Sequence, residues 1–349
     1  MLLCAFARTF APLREPLPLG ETLILYFRFM PVLQHSDYQA PFLLQNRHML
    51  TIYPSLFRSI KPVAYRRERI VTPDADFLDL DFSEKGGGRI VVILHGLEGN
   101  SGRKYMLGMV HIFNTAGFDT VSLNFRGCSG EPNKNLRFYH SGETEDLHTV
   151  LQYLVSLKKY EAIHLVGFSL GGNVTLKYLG EQGAQAAGVI RSAVTISVPC
   201  DLKSGAAELE KKHNIIYMQR FIRDLGYKLL LKEQQFPGSI RLDNYAEVKS
   251  FRQFDDRYTA PMHGFKDALT YWEQCSSRHY LPGIRVPALL INAKDDPFLG
   301  KACYPYEIAA ASSHLFLETP QQGGHVGFVK FGGDFYWSEK RALAFLQET

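Results

Sequence analysis

The chain has 349 residues, 46% hydrophobic and 21% charged, the balance of a globular protein with a large core rather than of a disordered one. Its 39 basic and 35 acidic residues leave a formal charge of +4, and the basic pairs Arg66-Arg67, Lys158-Lys159 and Lys211-Lys212 are too scattered to form a nucleic-acid footprint. The 5 cysteines are odd in number and make no C-x-x-C pair, which excludes a disulfide framework and structural zinc and points to a reducing, cytoplasmic setting. No run approaches the ~18 apolar residues of a membrane span. Nothing in the composition fixes an oligomeric state.

Residues 1–29 carry prolines at 12, 16 and 18 and show no hydrophobic period. Arg8 follows the apolar stretch Met1–Ala7 instead of preceding it, the reverse of a secretory signal. The stretch reads as an irregular extension, and the core begins at Met30. From there to Val63, Pro41, Pro54 and Pro62 predict a mostly irregular path. Ala64–Val71 and Phe77–Phe82 read as a hairpin turning at Thr72-Pro-Asp-Ala-Asp76. Arg89–Leu94 is a continuous apolar run of the kind buried on both faces of a parallel sheet.

Strands and helices then alternate. Arg103–Ala116 is predicted helical and stops at Gly117, and Asp119–Asn124 is a strand. Thr144–Leu157 places Leu147, Val150, Leu151, Leu154 and Val155 on one helix face, with Thr144 available as a cap and Glu145 and Asp146 at the positive end of the dipole. Ile163–Val166 is a strand leading into a helix from Leu170, and Gly188–Val198, Pro287–Asn292 and His314–Glu318 complete the strands before a terminal helix at Ser338–Gln347. Two antiparallel strands followed by six that alternate with helices define an eight-stranded, mostly parallel α/β sheet flanked by helices. Residues 199–285 are too long for a loop and carry a helical period at Ile215, Met218, Ile222, Leu225 and Leu229. They predict a helical cap inserted into a core of 30–198 and 286–349. The cap would lie over the strand C-terminal ends, where open α/β sheets bind ligands.

Gly167-Phe-Ser-Leu-Gly171 joins the strand at 163–166 to the helix at 170. A serine on so sharp a strand-to-helix turn stands clear of the sheet, which is the nucleophile elbow of the α/β-hydrolases. A neutral hydroxyl needs a base and an orienting acid, and in this fold they follow in the order Ser, Asp, His. Asp296 lies just after the penultimate strand and His325 just after the last, so both share the rim with Ser169. Asp296 is preferred to Asp295 because Pro297 fixes the turn behind it and it lies three residues beyond Ala293, the usual glycine position. The oxyanion donors are the backbone N–H of Leu170 and, from the His95-Gly-Leu-Glu-Gly99 loop, that of Leu97. His95 itself reads as structural. No H-E-x-x-H occurs, and the acidic pairs 255–256 and 295–296 lack histidines at ligand spacing, so no metal and no cofactor is expected.

Taken together, the chain resembles the YheT-like branch of the α/β-hydrolases, the AB hydrolase 4 group. The resemblance runs from Phe42 to Phe345 and rests on His48–Pro54, Thr72–Asp76, His95–Ser101, Asn124–Gly130, Gly167–Asn173, Phe254–Pro261 and Asn292–Phe298. It implies that Ser169, Asp296 and His325 occupy the family's triad positions and that Phe254–Pro261 is a cap-region signature. It also implies acyl-ester chemistry on a small molecule, by carboxylesterase, acylglycerol lipase or phospholipase-like action on short- to medium-chain acyl groups. Acyl transfer to an alcohol is the alternative, and a catalytically silent binding module the third reading. Ala75 departs from the glycine usual at that turn.

Overall fold

A computed structural model describes residues 31–33 and 35–349, so the 1–29 extension lies outside the described residues. Strands β2 (Arg66–Val71), β3 (Phe77–Ser83), β4 (Arg89–Leu94), β5 (Asp119–Asn124), β6 (Ala162–Phe168), β7 (Ile190–Ile196), β8 (Ala288–Ile291) and β9 (Leu315–Glu318) are the eight read from the sequence, some of them trimmed at the ends. A ninth, β1 (Val32–Leu33), adds to the edge by pairing parallel with β9. The sheet order is β1-β9-β8-β7-β6-β4-β5-β3-β2. Only β3 runs antiparallel to its neighbours, β2 and β5; every other pairing is parallel. Beyond its first residue β4 is fully buried, as its unbroken apolar run requires in a sheet covered on both faces.

Helices α2 (Lys104–Thr115), α3 (Thr144–Ser156), α4 (Leu170–Gln182) and α9 (Trp337–Glu348) flank the sheet, with the short α8 (Tyr306–Ala310) before β9. One apolar cluster joins β4, β6 and β8 to Leu147, Leu151 and Leu154 of α3; another joins the opposite side-chain rows to Met109 and Phe113 of α2 and Phe345 of α9. Two details of α3 differ from the sequence reading. Its N-cap is Glu143, while the Thr144 hydroxyl donates to Glu181 instead of capping. Asp146 is buried against Arg126 at 2.6 Å, so it serves an internal ion cluster as well as the helix dipole.

Among its described residues, the stretch 30–63 is irregular over only half its length. It contains α1 (Arg47–Phe57), capped by Asn46, with Pro54 inside the helix. Proline cannot donate to the carbonyl one turn back, so Leu50 O is freed, and Gly327 packs there so closely that a Cβ would come within 2.4 Å of it. The far end is fastened by Arg58, paired at 2.6 Å with the buried Glu339 of α9. Between β7 and β8 the chain forms α5 (Leu202–Leu209), α6 (Ile215–Gln235), helical turns across 251–262 and α7 (Ala268–Cys275). Helix α6 buries Met218, Ile222, Leu225 and Leu229 against Phe138, Phe254, Tyr258 and Phe298, an apolar cluster separate from those of the sheet.

Candidate active site

Strand β6 ends at Phe168 and α4 begins at Leu170, so Ser169 makes the whole turn, at φ 51 and ψ −116. A side-chain-bearing residue pays about 1–3 kcal/mol for such backbone and holds it only where its surroundings enforce it. Gly171 is part of that enforcement, since a Cβ there would stand 2.6 Å from Leu94 O and His95 O. The turn aims Ser169 Oγ at His325 Nε2, 3.1 Å away. On the other side of the ring, His325 Nδ1 lies 2.9 and 3.1 Å from the carboxylate oxygens of the buried Asp296. Phe298 N–H also donates to Asp296 Oδ1 at 2.9 Å, and the Phe298 ring lies against the imidazole with centroids 4.2 Å apart. Asp295 points elsewhere and accepts the Gly324 N–H at 3.0 Å. Burial pushes its carboxyl up to about 6, against the pull of that N–H.

Two elements hold the His325 loop from outside. Thr51 of α1 donates to Arg47 O and accepts the His325 N–H at 2.9 Å, and Ser197 Oγ accepts the Val326 N–H at 2.9 Å. Neither residue was picked out from the sequence as part of the site. Pro54 masked the helix that carries Thr51, and a serine after a strand gives no distinguishing signal.

The His95–Gly99 loop faces Ser169. Gly96 N–H donates to Tyr105 Oη, Glu98 N–H to Tyr139 Oη and Gly99 N–H to Gly96 O, and the Leu97 N–H has no such partner among the described residues. Leu170 is the first residue of α4, so its N–H has no carbonyl one turn earlier to bond. His95 is fully buried. Its Nδ1 bonds Gly96 O at 2.7 Å and its Nε2 accepts the Phe125 N–H at 3.2 Å, so the ring is a neutral brace whose pKa burial lowers to about 3. Lys228 of α6, also missed from the sequence, reaches across to the same loop and meets Glu98 Oε1 at 2.8 Å, where Tyr139 Oη also donates at 2.7 Å.

Ser169 and His325 line two cavities. One, of about 110 Å³, is lined by apolar side chains from the helical segment between β7 and β8, among them Leu202, Leu209, Phe221, Leu225, Phe254 and Trp272. The other, about 390 Å³, lies toward α1 and is lined by Thr51, Ile52, Leu56, Arg103, Tyr217 and Arg220. One cluster with metal-binding chemistry was not visible in the sequence spacing: His140, Glu143 and His263 each place a ligand atom within 4.8 Å of the others. Arg137 already sits 3.2 Å from Glu143 Oε2, and its positive charge opposes a divalent cation there.

A mostly parallel sheet with a strained serine between a central strand and its helix, and an acid and a histidine arriving from the ends of β8 and β9, defines a class. The chain belongs to the α/β hydrolase fold family, whose sequence model matches residues 89–331. Within it the chain is similar to YheT of Escherichia coli (strain K12), 36% identical over 307 residues, covering 85% of this chain and 88% of that protein. It is also 30% identical to the phospholipase ABHD3 of Bos taurus, over 86% of this chain and 75% of that one. The monoacylglycerol lipase of Saccharomyces cerevisiae is 29% identical, over 81% and 63%. The Pyrococcus furiosus esterase Pf2001 shares the fold, with a TM-score of 0.56 at 18% identity, over 84% of this chain and 98% of that one. The homologues are thus esterase- and lipase-type α/β hydrolases, in keeping with hydrolysis of ester bonds.

Proposed function

We propose that the protein is a serine carboxylic ester hydrolase working through an acyl-enzyme on short- to medium-chain acyl esters. The observation that carries this is the continuous path from Ser169 Oγ through His325 to Asp296, at 3.1 and 2.9 Å. Ser169 attacks the ester carbonyl as His325 Nε2 takes its proton, and Asp296 holds Nδ1–H and offsets the charge on the imidazolium. The Leu97 and Leu170 N–H groups receive the oxyanion. His325 then gives its proton to the leaving alcohol, and a water activated by the same base releases the acid. The helices of 199–285 act as a cap, and the smaller, apolar cavity takes the acyl chain. No step calls on a metal or cofactor.

Labelling by a fluorophosphonate probe, lost in Ser169→Ala, tests the nucleophile. A series of p-nitrophenyl esters from acetyl to dodecanoyl tests the acyl cavity, with turnover expected to peak at short to medium chains. Labelling that persists in Ser169→Ala would place the nucleophile elsewhere. The second cavity supports one further reading, acyl transfer, since it offers an alcohol room beside the acyl-enzyme. Added ethanol would then divert product from acid to ethyl ester.

A further inference from the structure

The wider cavity beside Ser169 has an unusual rim. On α1, Met49, Ile52 and Leu56 recur at intervals of three and four, which is one face of a helix, and all are exposed while Leu50 is buried on another face. Just before α1, Phe42 and Leu43 are 84% and 80% exposed. Across from it, α6 opens with Ile215 and Ile216, the latter 74% exposed. The two helices meet there: the His48 and Tyr217 rings stack with centroids 5.8 Å apart, and Arg47 bonds His213 at 2.8 Å. The exposed apolar residues of the two helices therefore flank one junction beside the wider cavity, whose wall Ile52 and Leu56 join.

Positive charge borders that junction. Arg103 and Lys104 stand at the start of α2, and Arg220 and Arg223 on α6. Asp224 opposes them, 3.6 Å from Arg220 and 2.9 Å from Arg223. The other acid on the cavity wall, Glu98, is already neutralised by Lys228. Four cations against the one carboxylate of Asp224 leave the rim positive.

We propose that this rim docks on an anionic lipid surface, so that esters of membrane lipids enter the wider cavity directly from the bilayer. Exposed leucine, isoleucine, methionine and phenylalanine gain by entering the acyl boundary, while flanking arginines and lysines meet the lipid phosphates. A protein partner of apolar surface would gain nothing from the ring of cations. Which ester enters rests on the ester-hydrolase reading above; the docking itself does not.

The test uses the full chain carrying Ser169→Ala, so that vesicle lipid is not consumed. It is sedimented with phosphatidylcholine vesicles, with and without phosphatidylglycerol. Each basic residue near an anionic surface strengthens partitioning by about fivefold, so binding should be at least about tenfold tighter with phosphatidylglycerol and weaken in high salt. Met49→Glu with Ile216→Glu, neither of which lines either cavity beside Ser169, should weaken it by about tenfold or more, and Arg223→Glu by a similar factor. In the Ser169-bearing protein the same changes should leave kcat/KM for dissolved p-nitrophenyl butyrate nearly unchanged. That assay also reports folding. Absence of vesicle binding, or binding untouched by these substitutions, overturns the proposal. So does a change from dimer to monomer on Met49→Glu with Ile216→Glu, which would show that a second copy covers the face. If the protein binds vesicles but never hydrolyses a dissolved ester, the ester reading fails and the docking stands.

Discussion

Replacing Asp296 by asparagine tests the site more sharply than removing the serine, because the structure dictates which way the amide must turn. Asp296 Oδ1 accepts the Phe298 N–H at 2.9 Å, so in Asp296→Asn the amide oxygen stays at that position. The NH2 then occupies the Oδ2 position, which lies 2.9 Å from His325 Nδ1. Two donors cannot face each other, so Nδ1 gives up its proton and Nε2 carries it. A protonated Nε2 cannot accept from Ser169 Oγ, and the base is lost without loss of a single atom of volume. The cost of such a tautomer swap is about 10⁴ in kcat, or ~5.5 kcal/mol of transition-state stabilisation. The assay is the steady-state rate on p-nitrophenyl butyrate, with thermal melting to show that the fold is intact. Asp295→Asn is the control: its carboxylate accepts Gly324 N–H and leaves the imidazole alone, so it should lose about tenfold or less. The reverse ranking of the two variants would refute the assignment.

Lys228→Met should strand the Glu98 carboxylate, which is only partly reached by water, and lower stability by a few kcal/mol. Glu98 adjoins Leu97 in the loop proposed to hold the oxyanion, so kcat should fall about tenfold with KM little changed, and adding Glu98→Gln should restore much of the melting temperature. Ala75 sits at φ 60 in the β2–β3 turn, so Ala75→Gly should stabilise by about 0.5–1 kcal/mol in urea unfolding, without effect on turnover. The Asp295 carboxyl is pushed up to about 6, above the ~3.9 of an unfolded aspartate. Folding is therefore favoured by its protonated form: that contribution is complete below about pH 4 and is lost as pH rises through 6. Asp295→Asn should flatten the decline in stability across that window, measured by denaturant titration at successive pH values.

Local chemistry in the sequence determined eight of the nine strands, the sharp turn at Ser169 and the chain positions of Asp296 and His325 after strand ends. A parallel strand buried on both faces must be continuously apolar, as Arg89–Leu94 is beyond its first residue, and a strained serine needs small neighbours, as Gly167 and Gly171 supply. Asp296 and His325 were legible because each follows a strand end, and strand ends share a rim. The tertiary structure alone decided what holds those residues in place. Pro54 argues locally against a helix, and only the tertiary structure shows that the freed Leu50 carbonyl lies against Gly327 and that Thr51 accepts the His325 N–H. Val32–Leu33 is too short to signal a strand, and its hydrogen-bond partners lie on β9, at the other end of the chain. Lys228 and Glu98 are 130 positions apart, and no spacing rule links helix α6 to the His95–Gly99 loop. Such contacts depend on which surfaces meet after the elements have formed. Their energies belong to burial and pairing across the fold, and periodicity within one segment carries no record of them.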